Sequence, residues 1–155
     1  MGCNNLTYGK DGISLTEQFE GCALSAYQDQ VGVWTIGYGH TGQDVRCGLN
    51  ITQEGAETLL SQDVASAAGC VNKLVTIELS QPEFDALVDF VFNLGSGAFA
   101  SSTLLKKLNS GDTAAAAAEF DKWDHAGGQI VAGLLRRREA EMTMFNAGAS
   151  TTQNA

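Results

Sequence analysis

Apolar residues recur at three- and four-residue steps over much of the chain, which is the spacing of one face of an α-helix. After Thr52 the positions at these steps are Leu59, Leu60, Asp63, Val64, Ala67 and Val71, all of them apolar except Asp63. We expect this stretch to hold one helix and the start of a longer helix that bridges two lobes. A more strongly apolar set follows, comprising Phe84, Leu87, Val88, Val91 and Phe92. This second set predicts a helix at the buried centre of the C-terminal part.

Polar residues in front of apolar stretches indicate where helices begin. Residues 14–17 and 80–83 both have the Ser-x-x-Glu form of a capping box, in which the two side chains satisfy backbone N–H groups at a helix start. The first box predicts a short helix from about Leu15 to Gly21. The second has Pro82 in the first helical turn, where a missing N–H costs nothing. Gly95-Ser96-Gly97 is expected to end that second helix.

The segment from Ala23 to His40 has the composition of β-structure. Residues 33–38 are rich in β-branched and aromatic side chains, and residues 28–32 contain the turn formers Asp29 and Gly32. We therefore expect a β-hairpin whose second strand alternates between two faces. Val33, Thr35 and Gly37 would lie on one face, and Trp34, Ile36 and Tyr38 on the other.

One short β-region in an otherwise helical chain predicts an α+β fold with segregated elements. Three further helices are predicted near residues 102–108, 113–122 and 134–146. We expect a single domain over residues 1–150, followed by a flexible tail over 148–155. Within it, a long helix would join a small β-hairpin lobe over about 12–65 to a larger helical lobe over about 66–147. A cleft between two such lobes suits an extended polymer.

The charge balance bears on the kind of partner. The 155 residues carry a formal net charge of -9, which argues against a nucleic acid partner, because such affinity comes mostly from Lys and Arg that neutralise phosphates. The same charge predicts slow approach to an anionic surface at low salt. The run Arg136-Arg137-Arg138 is expected to form a local positive patch. No stretch has the apolar length of a membrane span, and the N-terminus lacks the apolar core of a secretion signal.

Four cysteines, Cys3, Cys22, Cys47 and Cys70, allow three pairings into two disulfides. The sequence leaves two alternatives open. Either all four thiols are reduced, or the bridges are Cys22–Cys47 and Cys3–Cys70. No Cys-x-x-Cys or Cys/His spacing indicates a zinc site.

Two carboxyl residues lie around the predicted hairpin. Hydrolysis of a glycosidic bond usually needs a protonated carboxyl that donates to the leaving oxygen, together with an ionised carboxylate. Glu20 lies at a predicted helix end beside apolar Phe19, which favours its neutral form, whereas Asp29 lies in a turn open to water. Thr35 follows on the next strand and is suited to hold a water molecule. Each residue alone is more commonly a surface acid, a turn former or a plain strand residue, but the three together indicate a hydrolase.

The spacing of Glu20, Asp29 and Thr35 and the sequence around them resemble the phage lysozyme family, glycoside hydrolase family 24. The branch found in lambda-like phages is the most similar. The matching segments are FEG at 19–21, AYQD at 26–29, GVWTIGYGHTG at 32–42, FDALVDFVFNLGSGAF at 84–99 and GLLRRREAE at 133–141. They keep their order and spacing over roughly Gly12 to Phe145.

This resemblance implies a lysozyme-like fold and an enzyme that hydrolyses the β-1,4 bond between N-acetylmuramic acid and N-acetylglucosamine, lysing bacterial cells. Glu20 would be the general acid, Asp29 the carboxylate that assists water, and Thr35 the residue that positions this water, with inversion at the sugar carbon. No metal or organic cofactor is implied. Bacterial peptidoglycan is the expected partner, without nucleic acid or a membrane span. We expect a monomer that is made in the host cytoplasm and released to the periplasm and cell wall.

The resemblance also implies roles for residues outside the catalytic three. His40 matches a histidine that pairs with an aspartate on the bridging helix, here Asp63. We expect this contact to support the hairpin and to raise the pKa of His40, so His40 is predicted to be structural rather than catalytic. Asn93, Tyr38 and Arg137 are assigned to substrate binding. A supporting role for Asn93 and a solvated helix face for Arg137 are the alternatives.

Two other functions stay open from the sequence. A non-catalytic wall-binding protein is compatible with the same fold, since a fold does not determine a function. A hydrolase that acts on a related polymer such as chitin would need the same pair of carboxyl groups.

Overall fold

The computed structural model describes residues 4–123, 125–126, 129–130 and 132–153, with side chains described over 4–123 and 132–148. The α-helices of these residues are α1 Lys10–Glu20, α2 Gln53–Leu74, α3 Gln81–Leu94, α4 Ser96–Ala100, α5 Thr103–Asn109, α6 Thr113–Ala117 and α7 Ala132–Gln153. A short 3-10 helix spans Phe120–Lys122. The strands are β1 Ala23–Gln28, β2 Trp34–Gly37, β3 His40–Thr41, β4 His125–Ala126 and β5 Gln129–Ile130. The α+β class predicted from the sequence is confirmed.

The start of α1 differs from the prediction. The helix begins at Lys10 with Gly9 as its N-cap, and no side chain caps it, so the capping box expected at residues 14–17 is wrong. The N–H of Gly9 instead donates to Asp85 Oδ1 at 2.9 Å. This acceptor comes from α3, far along the chain, and it satisfies a backbone donor that the local sequence cannot. The helix ends at Glu20, where Gly21 has a φ of 68°, a conformation that favours glycine.

The predicted hairpin is present as a three-stranded antiparallel sheet in the order β1-β2-β3. Thr35 of β2 pairs with Tyr27 of β1 and with Thr41 of β3. Residues opposite one another in an antiparallel sheet project to the same face, so these three side chains share one face. Asp29 continues the row, because it follows Tyr27 by two residues and its N–H donates to the Val33 carbonyl at 2.9 Å.

Helix α2 is one continuous helix of 22 residues, where the sequence suggested a helix followed by the start of another. Thr52 is its N-cap, and its hydroxyl accepts from the Gly55 N–H at 3.0 Å. The helix packs against α3 and against all three strands of the sheet, so it joins the β-containing part to the helical part. Its buried residues are Ala56, Leu60, Val64, Ala67, Ala68 and Val71.

Helix α3 is the buried centre of the helical part, as predicted. The capping box of Ser80 and Glu83 is complete, with both reciprocal hydrogen bonds present, and Gly95 ends the helix. The helix packs against α1, α2 and α7. Its Phe90 is fully buried and contacts the Phe120 and Trp123 rings edge-on, each with centroids 5.6 Å apart.

The C-terminal elements follow the predicted order with different bounds. The stretch expected as one helix over 113–122 divides into α6 and the 3-10 helix, and α7 runs past the expected end at Asn146 to Gln153. The proposed lobe boundaries and the flexibility of the tail stay predictions. Among the described residues, no helix is both long and apolar enough to cross a membrane.

The cysteines do not form the bridges considered from the sequence. Cys22 and Cys47 are free, exposed thiols, so the Cys22–Cys47 bridge is wrong. Cys70 is also free and half-buried, and burial raises the pKa of its thiol. Cys3 lies outside the described residues.

Candidate active site

Glu20 lies at the C-terminal end of α1 and projects into a cavity of about 370 Å³. Arg137 Nη1 donates to Glu20 Oε2 at 2.8 Å. The other oxygen, Oε1, faces Gly39 so closely that a Cβ at that glycine would lie 3.0 Å from it. The cavity is lined by Glu20, Gly39, Thr41, Asp63, Phe92 and Asn93. One carboxylate oxygen is thus held by a cation, and the other lies beside a residue that has no side chain.

Asp29 lies in the turn after β1 and is exposed. Its Oδ1 accepts from the N–H groups of Val31 and Val33, both at 2.9 Å. These bonds form the turn that the sequence predicted, and they fix the orientation of the carboxylate. Asp29 lines a shallow depression of about 680 Å³ together with Tyr27, Gln28, Gln30 and Val31. It is therefore not among the residues that line the cavity at Glu20.

Thr35 connects these two regions through the sheet. Thr35 is only 5% exposed, and its hydroxyl donates to the Val33 carbonyl at 3.0 Å. Its cross-strand neighbour Thr41 lines the cavity at Glu20, whereas Asp29 lies further along the same face of the sheet. Because the donor of Thr35 is used, its oxygen can only accept a further hydrogen bond.

His40 makes the predicted contact with Asp63, with Nδ1 lying 2.8 Å from Asp63 Oδ2. The sequence analysis missed a second partner, because Nε2 lies 3.0 Å from Asp44 Oδ2. Burial by itself would lower the pKa of His40, but the hydrogen bonds to the two aspartates outweigh it, so the pKa is raised. The expected direction of the shift is confirmed. A histidine followed four residues later by aspartate was the available signal for Asp44.

Arg137 is buried rather than on a solvated helix face, so that alternative is wrong. Its Nε and Nη2 donate to both oxygens of Asp89 at 2.9 and 2.8 Å, while Nη1 reaches Glu20. Arg138 is also fully buried. The positive patch expected from residues 136–138 is therefore wrong, since two of its three guanidinium groups are enclosed among carboxylates.

Arg138 connects Asn93 to the interior. Its Nη2 donates to Asn93 Oδ1 and to Glu141 Oε2, each at 2.8 Å. Its guanidinium also lies over the Phe90 ring at 5.3 Å from the centroid. Asn93 therefore supports the network through its oxygen and still lines the cavity. In the described part of the chain no hydrogen bond engages its amide nitrogen, which leaves those donors to the cavity.

Tyr38, the remaining residue assigned to substrate binding, lies in the hydrophobic core. Its hydroxyl accepts from Gln53 Nε2 at 2.8 Å, and it does not line the cavity at Glu20. Over the residues with described side chains, no group of three or more His, Cys, Asp or Glu residues is arranged to hold a metal ion.

Asp89 is the main residue of this network that the sequence analysis did not single out. It lies on α3, is completely buried, and accepts from Thr16 Oγ1 at 2.7 Å in addition to Arg137. An aspartate inside an apolar helix was the only signal in the sequence. Its partner on α7 is 48 residues away, so that signal did not identify the pairing.

Comparison with known proteins identifies the family of the chain. A family model described as phage lysozyme matches residues 17–141. The endolysin of Bacillus phage PZA is 47% identical over 88% of this chain, and the chain covers 54% of that protein. The chain thus spans about half the length of this curated relative. The endolysin of Acyrthosiphon pisum secondary endosymbiont phage 1 is 44% identical, over 88% of this chain and 95% of that protein.

Solved structures with a similar fold are also found. The muramidase domain of SpmX from Asticaccaulis excentricus is 39% identical with a TM-score of 0.85, covering 91% of this chain and 98% of that one. A mutant of P22 lysozyme is 37% identical with a TM-score of 0.85, covering 92% and 99%. Since the family model covers most of the sequence and the fold is shared, the chain belongs to the phage lysozyme family.

Proposed function

We propose that this protein is an endolysin-type lysozyme, an N-acetylmuramidase that hydrolyses the β-1,4 bond between N-acetylmuramic acid and N-acetylglucosamine in bacterial peptidoglycan. The observation that carries the proposal is the setting of Glu20. Its carboxyl group is fixed by Arg137 at the edge of a cavity. Thr41 of the same cavity wall is the cross-strand partner of Thr35, on the sheet face that also carries Asp29. Similarity to endolysins and to a muramidase domain supports the same activity.

Glu20 is proposed as the general acid, with its proton on Oε1. Because Arg137 is only a donor, Oε2 must accept from it and cannot at the same time present a proton in that direction. Oε1 faces Gly39, where the missing side chain leaves room for the leaving oxygen of a glycosidic bond.

Asp29 and Thr35 are proposed to hold the attacking water. Both residues offer this water only hydrogen-bond acceptors. Asp29 offers its exposed carboxylate, and Thr35 offers its hydroxyl oxygen, since the hydroxyl proton is donated to the Val33 carbonyl. A water that donates both hydrogens to such acceptors keeps a lone pair free for the sugar carbon. A water between carboxylate and sugar gives inversion, which requires the two carboxyl groups to be well separated. The two carboxyl groups line different depressions, which favours this outcome.

The remaining assigned residues are proposed to act around this centre. Asn93 would donate its amide to a sugar substituent from the cavity wall. Arg137, with three nitrogens committed to two carboxylates, is proposed to act through Glu20 rather than on the sugar. Substrate binding by Tyr38 stays a prediction, as do the monomeric state and the route from host cytoplasm to cell wall.

The test uses purified peptidoglycan and the variants Glu20→Gln and Asp29→Asn. We expect wild-type protein to release muropeptides with reducing N-acetylmuramic acid ends, identified by mass spectrometry, and both variants to lose this release. Glu17→Gln is the matched control, because it changes a carboxylate one turn earlier on the same helix and should keep activity.

Other products would contradict the proposal. Reducing N-acetylglucosamine ends or anhydro-sugars would indicate a different reaction, and equal release by wild type and Glu20→Gln would remove Glu20 from the mechanism. A non-catalytic wall-binding protein would bind without releasing fragments. Faster release of reducing ends from chitin than from peptidoglycan would show that the proposed substrate is wrong. Proton NMR of the first product tests inversion, which requires the α-anomer to appear before mutarotation.

A further inference from the structure

The ion pair at Glu20 presents a chemical conflict. A general acid must hold a proton, but a guanidinium at 2.8 Å favours the ionised carboxylate. Without compensation, Arg137 would therefore remove the proton that the proposed mechanism needs.

The compensation comes from the side of Arg137 that faces away from the cavity. Asp89 accepts two parallel hydrogen bonds from the guanidinium, the strongest geometry for such a pair. The aspartate is itself held by Thr16 at 2.7 Å, and the Thr16 hydroxyl lies 2.7 Å from the Tyr8 hydroxyl. Asp89 thus has fixed partners on α1 and α7, and its position determines where Nη1 of Arg137 points.

Asp89 keeps its negative charge in this setting. Burial by itself would raise the pKa of Asp89, but the hydrogen bonds from Arg137 and its other neighbours outweigh burial and bring the pKa to about 2. The same carboxylate raises the pKa of Arg137, against the effect of burial. The buried pair is therefore a cation and an anion over the whole range in which the enzyme would work.

Other charged groups surround Glu20 from the neighbouring elements. On α7, Arg138 is paired with Glu141, and the pKa of Glu141 is raised well above its usual value, first by burial and then by Asp89. On α2, Asp63 lines the same cavity and is paired with His40 of β3. Glu17 lies one turn earlier on α1. In the described part of the chain, Arg137 is the cation in contact with Glu20.

We propose that Asp89 is a positioning residue of the active site, which neutralises Arg137 and thereby allows Glu20 to retain the proton that it donates. Arg137 then fixes the orientation of the acid without imposing its full charge. The inference rests on the proposed function, because it concerns the acid of that reaction.

The test is the pH profile of kcat/KM for peptidoglycan hydrolysis in three variants of the full chain. In Asp89→Asn the unneutralised Arg137 should move the alkaline limb to lower pH by about one unit, a loss of about tenfold on that limb with little change at acid pH. In Arg137→Gln the freed Asp89 charge should move the limb to higher pH. The double variant, which removes both charges, should return the limb close to that of the wild type.

Asp85→Asn is the matched control, since it removes another buried carboxylate from α3 one turn earlier, with no contact to Arg137. Its alkaline limb should not move. If Asp89→Asn loses kcat/KM equally at every pH, its role is structural and the inference fails. Circular dichroism shows whether Asp89→Asn folds. If it does not fold, the comparison of Arg137→Gln with the double variant remains, and an identical alkaline limb in these two variants would overturn the inference.

The charge state of Asp89 can also be tested in the wild-type protein. In a carbon-13 titration of the side-chain carboxyl groups, Asp89 should show no titration between pH 4 and pH 9, and a titrating Asp89 would overturn the inference. A wild-type chain that releases no muropeptides would instead refute the proposed function. An active chain whose alkaline limb does not move in Asp89→Asn would refute only the positioning role.

Discussion

Replacing His40 with asparagine should lower the stability of the protein in a way that depends on pH. The His40 side chain is 14% exposed and lies between Asp63, which is 30% exposed, and Asp44, which is 62% exposed. The pair with Asp44 is open to solvent, so the useful interaction is the one with Asp63. A partly exposed ion pair of this kind contributes about 1 kcal/mol after solvent screening.

The sign follows from the direction of the pKa shift. The pKa of His40 is raised in the folded state above its ordinary value of about 6.5. The stabilisation is therefore fully present below pH 6.5 and is lost as the pH rises through the folded-state value. A loss of about 1 kcal/mol in a domain of this size lowers Tm by about 2–4 °C.

Thermal unfolding followed by circular dichroism at pH 5.5 and pH 9 measures this effect. We expect His40→Asn to melt about 2–4 °C below the wild type at pH 5.5, with a smaller difference at pH 9. Asp63→Asn should behave in the same way, whereas Asp44→Asn should have a smaller effect because Asp44 is mostly exposed. An equal decrease in Tm at both pH values would refute the role of the charged pair.

Three further predictions concern packing, capping and long-range charge. Gly12→Ala should cost about 1–3 kcal/mol, measured by urea unfolding, because the new Cβ would overlap the Tyr8 ring and lie 2.9 Å from Asp85 Cβ; an unchanged midpoint would contradict this packing. Ser80→Ala should cost about 0.5–2 kcal/mol by the same measurement, since it removes the cap at Glu83, and no loss would mean that the box is not needed. With a net charge of -9, clearing of an anionic wall should accelerate as salt rises from low to physiological concentration, and a rate that falls would count against electrostatic repulsion.

Elements whose signals are local were predicted well. The capping box at Ser80 needs only residues within one turn of helix, and it forms as expected. The strand after Asp29 is encoded by its β-branched and aromatic residues, and the turn is held by bonds from Val31 and Val33 to Asp29. The spacing of the candidate residues Glu20, Asp29 and Thr35 is similarly local, because it is set by one helix end, one turn and one strand.

The contacts that build the candidate site and its surroundings are instead long-range. The capping box at residues 14–17 is not used, because an acceptor on Asp85, 76 residues from Gly9, satisfies the helix start one turn earlier. The arginine run at 136–138 predicts a positive surface patch. In the structure Arg137 instead donates to Glu20, 117 residues away in the sequence, and is buried beside Asp89.

By itself, then, the sequence determined the class of fold, the family and the candidate acid, carboxylate and threonine, since each follows from residue types at short spacing. Only the tertiary structure decided which charges are buried and which carboxylate neutralises which cation. The physical reason is that burial of a charged group is stable only where an opposite charge and hydrogen-bond partners compensate for the lost hydration. In this protein those partners come from α1, α3 and α7, which meet only when the chain has folded.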